Sequence, residues 1–318
     1  MTTAIEIKDL HKQYGKRSAV DGLNLNVEEG EVFGFVGPNG AGKTSTIRII
    51  AGLLRATSGE VRVAGFSVDQ SPREVKRRIG YMPDFFGVYP DISVQEYLEF
   101  FSACYQVPAP RQTALIDELL ELVDLGHRRG DMVDQLSRGL KQRLSLARTL
   151  IHDPQVLLLD EPAAGLDPRA RIEIRALLVE LARMGKTVFF STHILSDVAE
   201  VCSRVGIIEA GKLVAVGELE QLHLQVLPRR KIEVTLLDRL DEIAELLEKQ
   251  ERVSQVERYP AHKASDRLRL TFEFDGDDAA LSHLLVYLVQ NQARVLHFSE
   301  DARNLEDVFM RTTQGIVT

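Results

Sequence analysis

Residues 31–53 read EVFGFVGPNGAGKTSTIRIIAGL, and this stretch decides the fold: a short apolar strand runs into a glycine-rich turn and then into a helical segment. Residues 37–44 satisfy the pattern G-x-x-x-x-G-K-[ST] in that strand-to-helix context. Glycines let successive backbone N–H groups point into one concavity, and the start of the following helix adds its positive dipole. The stretch therefore predicts a loop that binds phosphate groups.

The side chains of this loop suit nucleotide phosphates. Lys43 supplies a positive charge for β- and γ-phosphates, and the hydroxyl of Thr44 is a ligand for Mg²⁺. The alternative is an ordinary glycine turn followed by a surface lysine. The predicted contacts of the loop are Gly37, Pro38, Asn39, Gly40, Ala41, Gly42, Lys43, Thr44 and Ser45.

An acidic pair follows the apolar segment VLLLD at residues 156–160. Asp160 and Glu161 lie where this segment ends, and α/β sheets hold their ligands at the carboxyl ends of strands. Asp160 is suited to hold Mg²⁺ through water, and Glu161 to orient or deprotonate an attacking water. Such a pair is also common without any function, but the preceding phosphate loop favours the functional interpretation.

The apolar pattern predicts an α/β fold. Short buried strands alternate with helical stretches, which is typical of a mostly parallel sheet covered on both faces. Residues 4–8 and 18–27 alternate apolar with polar side chains and predict antiparallel strands at an edge. From about residue 92 to 151 apolar residues recur at helical spacing, so we predict an inserted helical subdomain. The expected buried strands are residues 31–36, 156–160, 187–191 and 205–209.

The pattern changes after residue 227, where strand, helix, strand, helix and strand signals follow one another. A weaker strand signal occurs at residues 253–259. We therefore predict two domains, an α/β domain over residues 1–227 and a small α+β domain of ferredoxin-like type over residues 228–318.

Composition excludes several classes of protein. The 318 residues carry a formal net charge of −8, which is not the basic balance of a nucleic-acid binder. No window approaches the roughly 18 uninterrupted apolar residues of a membrane span, and the polar start predicts no secretion signal. Cys104 and Cys202 lie far apart without neighbouring ligands, so we expect two buried thiols and neither a disulfide framework nor a zinc site.

These features together resemble the ATP-binding subunit of ABC transporters over residues 4 to about 220. The sequence LSRGLKQR at residues 136–143 matches the signature motif of that family, and residues 164–168 match its D-loop. His193 ends a strand as the switch histidine of the family does, and Tyr14 sits where the family stacks an aromatic ring on adenine.

The resemblance implies a P-loop ATPase core that binds ATP and Mg²⁺, with Lys43, Glu161 and His193 in catalytic roles. It also implies a head-to-tail dimer with two ATP molecules between the chains, in which Ser137 and Gly139 reach the γ-phosphate held by the opposite chain and Asp167 lies nearby. The residues agree, because a hydroxyl and backbone amides at a helix start form an anion site that is incomplete alone. Ser137 is equally suited to cap that helix.

Several positions leave alternatives open or depart from the family. Tyr14 could instead pack on the sheet as a loop aromatic, and His193 could be a partly buried structural histidine. Asp84 stands in the Q-loop, where the family usually has glutamine; its carboxylate still reaches Mg²⁺ or the attacking water but adds a negative charge. Arg138 replaces the usual first glycine of the signature, which is tolerated if its side chain points outward.

The leading hypothesis is an ATP-hydrolysing subunit that energises a separately encoded permease from the cytoplasmic face of the membrane, as a homodimer or heterodimer. The ending NLEDVF at residues 304–309 resembles subunits of bacterial drug, polysaccharide, lipid or ion exporters. The aromatic-rich residues 84–89 are a candidate permease contact or, alternatively, a hydrophobic plug. Competing hypotheses are a soluble ABC ATPase acting on ribosomes or DNA, and a weakly hydrolysing nucleotide-sensing module.

Overall fold

The computed structural model describes residues 2–85, 87, 91–219, 221–222, 230–260 and 267–300. Contacts divide the chain into two compact units, one that ends at Leu219 and one that begins at Glu220. The predicted boundary after residue 227 lies within residues 223–229, outside the described residues. No helix of the described part is long and apolar enough to cross a membrane.

The phosphate loop starts from a six-stranded sheet in the order β10-β9-β3-β8-β7-β6. Five of these strands run parallel, and only β10, at one edge, is antiparallel to its neighbour. The three central strands are fully buried, which explains their nearly continuous apolar sequences. The strands are β3 (Val32–Val36), β6 (Ile79–Met82), β7 (Val156–Asp160), β8 (Thr187–Thr192), β9 (Arg204–Glu209) and β10 (Lys212–Glu218).

The two predicted antiparallel strands are longer than expected and belong to a second sheet. Its order is β2-β1-β4-β5, with every pair antiparallel. Buried side chains of this sheet and of the six-stranded sheet share one core, in which Phe33 stacks on Phe189 with ring centroids 5.5 Å apart. The strands are β1 (Thr3–Tyr14), β2 (Arg17–Glu28), β4 (Ser58–Val63) and β5 (Phe66–Ser67).

Seven helices of the first unit are described, and three of them form the predicted helical subdomain. The serine caps Ser93 and Ser137 accept hydrogen bonds from backbone N–H groups three residues further on, which fixes where α3 and α5 begin. The helices are α1 (Lys43–Ile50), α2 (Pro72–Arg78), α3 (Val94–Cys104), α4 (Ala109–Leu122), α5 (Arg138–Leu150), α6 (Pro168–Arg183) and α7 (Leu195–Ala199).

The second unit has the predicted ferredoxin-like arrangement. Its elements follow the order strand, helix, strand, strand, helix, strand, and its antiparallel sheet has the order β12-β13-β11-β14. The weak strand signal at residues 253–259 is confirmed as β12. A separate core that includes Phe272 and Leu288 holds the unit together. The elements are β11 (Arg230–Leu236), α8 (Leu240–Glu248), β12 (Val253–Tyr259), β13 (Leu268–Phe274), α9 (Asp278–Gln290) and β14 (Val295–Glu300).

The expectation of two buried thiols is wrong for Cys104. This residue ends α3, and the neighbouring residues 103–106 are all exposed. Cys202 is half-buried as a residue, but its thiol packs close to Gly34, and desolvation raises the pKa of the thiol well above the usual value. Its thiol is therefore held in the uncharged form.

Gly80 on β6 allows the six-stranded sheet to approach α5 closely. A Cβ atom at this position would lie 2.6 Å from the carbonyl oxygen of Thr149, which belongs to the helix backbone and has little freedom to move. We expect Gly80→Ala to lower the free energy of unfolding by about 1–3 kcal/mol, as overpacking does. Urea unfolding measures this change.

The matched control is Gly130→Ala, since a Cβ there meets no atom within 4 Å and the backbone is outside the left-handed region. Equal unfolding midpoints for the two variants would contradict the close packing of β6 on α5.

Candidate functional site

The loop between β3 and α1 has a backbone that requires glycine. Gly40 and Gly42 have φ values of 85° and 109°, in the left-handed region that other residues rarely adopt. A Cβ on Gly37 or Gly42 would overlap the carbonyl oxygen of Ile208 or Ala19. No side chain caps α1 and no acidic residue lies in its first turn, so its first N–H groups are open to an anion.

Lys43, Glu161 and His193 form one hydrogen-bonded cluster. The Nζ of Lys43 donates to the carbonyl oxygens of Gly37 at 2.6 Å and Pro38 at 3.2 Å. It also lies 3.2 Å from Oε1 of Glu161, whose Oε2 is 2.8 Å from Nδ1 of His193. The structure thus brings together the three residues predicted as catalytic, and the Lys43 ammonium contacts only groups of its own chain.

The backbone of Glu161 is strained. Its φ of 52° is unusual for a residue with a side chain, and such conformations persist at sites where the surroundings enforce them. Here the backbone N–H of Glu161 donates to both the carbonyl oxygen of Ser191, at 3.2 Å, and its hydroxyl, at 3.1 Å. The end of β8 therefore fixes the direction in which Glu161 leaves β7.

Asp160 is completely buried at the end of β7 and has one oxygen to spare. Its Oδ1 accepts hydrogen bonds from the hydroxyls of Ser191 at 2.6 Å and Thr44 at 3.2 Å. Its Oδ2 is buried without a hydrogen-bond partner among the described residues. Burial raises the pKa of this carboxyl, since an unpaired charge in the interior is costly. A buried, partnerless carboxylate oxygen beside a threonine hydroxyl fits a Mg²⁺ ion or its bound water.

Asp84 lines the same cleft as Thr44 but is half-exposed. Its Oδ1 lies 4.0 Å from a guanidinium nitrogen of Arg48 on α1, so a cation faces the charge that the family's glutamine lacks. The neighbouring Phe85 is 75% exposed. Residues 86, 88 and 89 of the candidate permease contact lie outside the described residues, as does the ending at residues 304–309.

The phosphate loop opens into a cleft of about 660 Å³ that extends to Tyr14. The ring of Tyr14 is half-exposed, and the Nζ of Lys12 lies 5.0 Å from its centroid. Arg17 and Ala19 of β2 also line this cleft. The sequence did not predict them, because only the pairing of β2 with β1 brings them beside Tyr14. The predicted residues along this cleft are Tyr14, Pro38, Asn39, Gly40, Gly42, Lys43, Thr44, Ser45, Asp84, Glu161 and His193.

The structure places Ser137, Gly139 and Asp167 in a different cleft of about 270 Å³. Ser137 and Asp167 cap α5 and α6, accepting hydrogen bonds from Leu140 N at 3.4 Å and Ala170 N at 3.0 Å. Most of the predicted nucleotide contacts are therefore divided between two clefts, whereas Gly37, Ala41 and the predicted metal ligand Asp160 line neither of the two.

Arg138 differs from expectation in the direction of its side chain. It is exposed, but its guanidinium turns onto Gly165 and lines the phosphate-loop cleft. The space above Gly165, which has no Cβ, makes this arrangement possible.

The fold and the two clefts define a nucleotide-binding cassette of the P-loop class. A family model described as "ABC transporter" matches residues 20–164, and one described as "ATP-binding protein DrrA1-3-like, C-terminal domain" matches residues 217–313. The chain belongs to the ABC transporter family as an ATP-binding subunit, which hydrolyses ATP to power transport.

Similar proteins match this chain nearly end to end. It is 36% identical to the bacitracin transport ATP-binding protein BcrA of Bacillus licheniformis, covering 99% of both chains. It is 34% identical to the Nod factor export ATP-binding protein I of Paraburkholderia xenovorans, covering 98% of this chain and 97% of the relative.

Solved structures resemble the first unit. The dimeric post-hydrolysis structure of the ATP-binding cassette MJ0796 with ADP and Pi is 27% identical, has a TM-score of 0.62 and covers 68% of this chain and 98% of that one. The structure of cbiO1 from Clostridium perfringens is also 27% identical, with a TM-score of 0.64 and coverage of 72% and 97%.

Ser191 was not predicted as a site residue, yet it bonds the side chain of Asp160 and the backbone N–H of Glu161. We expect Ser191→Ala to lower ATP turnover about tenfold to a hundredfold and to raise the Mg²⁺ concentration required, because Asp160 loses its shortest hydrogen bond. Steady-state hydrolysis measured across a Mg²⁺ titration tests this.

Ser203→Ala is the matched control, since its hydroxyl bonds the carbonyl oxygen of Val32 at the opposite end of β3. If the two variants gave the same Mg²⁺ titration, Ser191 would have no role in holding Asp160 for the metal.

Proposed function

We propose that this chain is the ATP-hydrolysing subunit of an exporter, works as a dimer and is held at the cytoplasmic face of the membrane by a separately encoded permease. The main support for ATP hydrolysis in this proposal is the cluster in which Glu161 contacts both Lys43 and His193 beside a phosphate loop. The export direction is supported by the relatives, whose names describe bacitracin transport and Nod factor export.

In this proposal ATP lies along the larger cleft. The adenine ring stacks on Tyr14, and the phosphates lie over the open N–H groups at the start of α1, where Lys43 exchanges its carbonyl contacts for phosphate oxygens. Once Lys43 turns to the phosphates, the Glu161 carboxylate is free to orient and deprotonate the attacking water. His193, hydrogen-bonded to the same carboxylate, holds Glu161 in place and faces the γ-phosphate.

Thr44, Asp160 and Asp84 are the residues that would hold Mg²⁺. Asp160 contributes its partnerless buried oxygen, and Thr44 is already oriented toward Asp160 by their hydrogen bond. When bound, the ion neutralises charge on the β- and γ-phosphates. Arg48 draws the Asp84 carboxylate toward α1, which limits repulsion between Asp84 and the phosphates.

The second cleft explains why two chains are needed. Ser137 and the amides at the start of α5 form an anion site on a cleft separate from the phosphate loop. In a head-to-tail dimer this site covers the γ-phosphate held by the other chain. The ferredoxin-like unit contains none of the predicted nucleotide contacts, so we assign it an accessory role.

Two alternative functions are less well supported. Action on ribosomes or DNA as a soluble ABC ATPase is disfavoured by the net charge of −8 and by relatives that match almost the whole chain and are named for transport. The hypothesis of a weakly hydrolysing sensor depends on Asp84 alone, and no second feature of the described residues favours it.

Replacing the proposed base separates binding from hydrolysis. We expect Glu161→Gln to bind ATP but to hydrolyse it at least about a hundredfold more slowly, because an amide cannot accept the proton from the attacking water. The ATP-bound dimer should accumulate and be visible by sedimentation. Glu180→Gln, which changes an exposed carboxylate on α6, is the control; full hydrolysis by Glu161→Gln would remove Glu161 from its role.

A mixture of two inactive chains tests the division of the site. A Lys43→Ala chain paired with a Ser137→Arg chain gives a heterodimer in which one composite site keeps both wild-type residues. We expect the mixture to recover part of the wild-type ATPase activity. Each variant alone, at the same total protein concentration, is the control. A mixed sample that is as inactive as each variant alone would contradict a site built from two chains.

A further inference from the structure

The signature residues face two different clefts. Ser137 and Gly139 line the smaller cleft, whereas Arg138 between them lines the phosphate-loop cleft together with Ala164 and Glu161. The arginine therefore extends from the start of α5 to the cleft in which its own chain holds the catalytic cluster.

The Arg138 guanidinium rests directly on the turn that follows Glu161. A Cβ atom on Gly165 would lie 2.5 Å from Cζ and 2.8 Å from Nη2 of Arg138. The flat side of the guanidinium thus occupies the space that any other residue would fill. Gly165 also has a φ of 68°, so glycine is required at this point for the backbone and for the contact.

A second residue of the same helix face holds the other end of this turn. Gln142 lies one helical turn after Arg138, and its Nε2 donates a buried hydrogen bond of 3.0 Å to the carbonyl oxygen of Pro162. Residues 162 and 165 are thus both fixed to α5. This turn begins at Glu161, whose own backbone is strained, so two contacts connect α5 to the segment that carries the carboxylate.

Further contacts connect α5 with α6, the helix that follows the turn. A Cβ on Gly139 would lie 3.3 Å from the Cβ of Ala170 on α6, and Arg143 of α5 forms an ion pair with Glu173 of α6. The signature helix, the turn and the helix after it are therefore connected by side-chain contacts at several points.

We propose that Arg138 is a positioning residue for hydrolysis, which transmits occupancy of the signature cleft to Glu161 of the same chain through its contact with Gly165. The inference rests on the proposed dimer, because in that dimer the γ-phosphate bound to one chain meets Ser137 of the other. ATP binding at one composite site would then set the position of the Glu161 carboxylate at the second site. Arg138 would in this way couple the two ATP sites of the dimer.

Arg138→Ala in the full-length chain tests the role. We expect its kcat to fall about tenfold to a hundredfold, as when a group that positions a catalytic residue is lost. The affinity for a fluorescent ATP analogue should fall by less than kcat does, because Arg138 lines the cleft but is not part of the phosphate loop. Arg138→Lys keeps the charge without the flat face and should recover part of the lost kcat. The control is Arg183→Ala, an exposed arginine at the far end of α6.

A double-mutant cycle identifies the contact itself. Gly165→Ala fills the space that the guanidinium occupies and should lower kcat in the wild-type background. In the Arg138→Ala background the same change should cost less, because the clash has gone and only the backbone strain remains. If the kcat of the double variant falls by the product of the two single-variant factors, the two residues do not act together.

The outcomes separate this inference from the proposed function. If the wild-type chain forms an ATP-dependent dimer and Arg138→Ala keeps the kcat of the Arg183→Ala control, the positioning role is wrong while the proposed function stands. If no dimer forms even with a non-hydrolysable ATP analogue and Mg²⁺, both are wrong. Equal losses of kcat and of ATP binding in Arg138→Ala, without recovery in Arg138→Lys, would also overturn the role, since they indicate general damage to the fold.

Discussion

The rest of the site depends on the hydrogen bonds that the buried carboxylate of Asp160 accepts. It ends β7, receives the hydroxyl of Thr44 from the start of α1 and receives the hydroxyl of Ser191 from the end of β8. Three separate segments of the chain are therefore joined at one oxygen atom. The second oxygen, buried and without a partner in the described part, carries an energetic cost that a magnesium ion with its water would relieve.

The hydrogen bonds of Ser191 also set the geometry of the cluster of Glu161, Lys43 and His193, which we predict to be catalytic. Because Ser191 also accepts the N–H of Glu161, the residue after Asp160 turns sharply and directs its carboxylate toward Lys43 and His193. The signature residues lie in another cleft, joined to the same turn by Arg138 and Gln142. One chain thus holds Glu161 and the phosphate loop in one cleft and the signature residues Ser137 and Gly139 in another.

The sequence predicted those parts of the fold that depend on local patterns. The spacing of glycines predicts the phosphate loop. Short runs of apolar residues predict the buried strands that end at Asp160 and near His193, as well as the strands and helices of the ferredoxin-like unit. The strand β6 was not predicted, because IGYM is short and its partner β7 follows only after the whole helical subdomain. The role of Ser191 was missed for the same reason, since it depends on the parallel register that sets Asp160 opposite Ser191. The direction of Arg138 depends on a glycine 27 positions later, beyond any local pattern.

The central claim is that a complete hydrolytic site needs two copies of this cassette, and a crystal structure with a non-hydrolysable ATP analogue and Mg²⁺ tests it most directly. We predict a head-to-tail dimer in which Lys43 has left Glu161 for the phosphates and the metal lies within reach of Thr44 and Asp160. The γ-phosphate should contact Ser137 of the partner subunit. A monomer whose γ-phosphate is enclosed by residues of a single chain, or a dimer in which Ser137 is far from either nucleotide, would contradict the account.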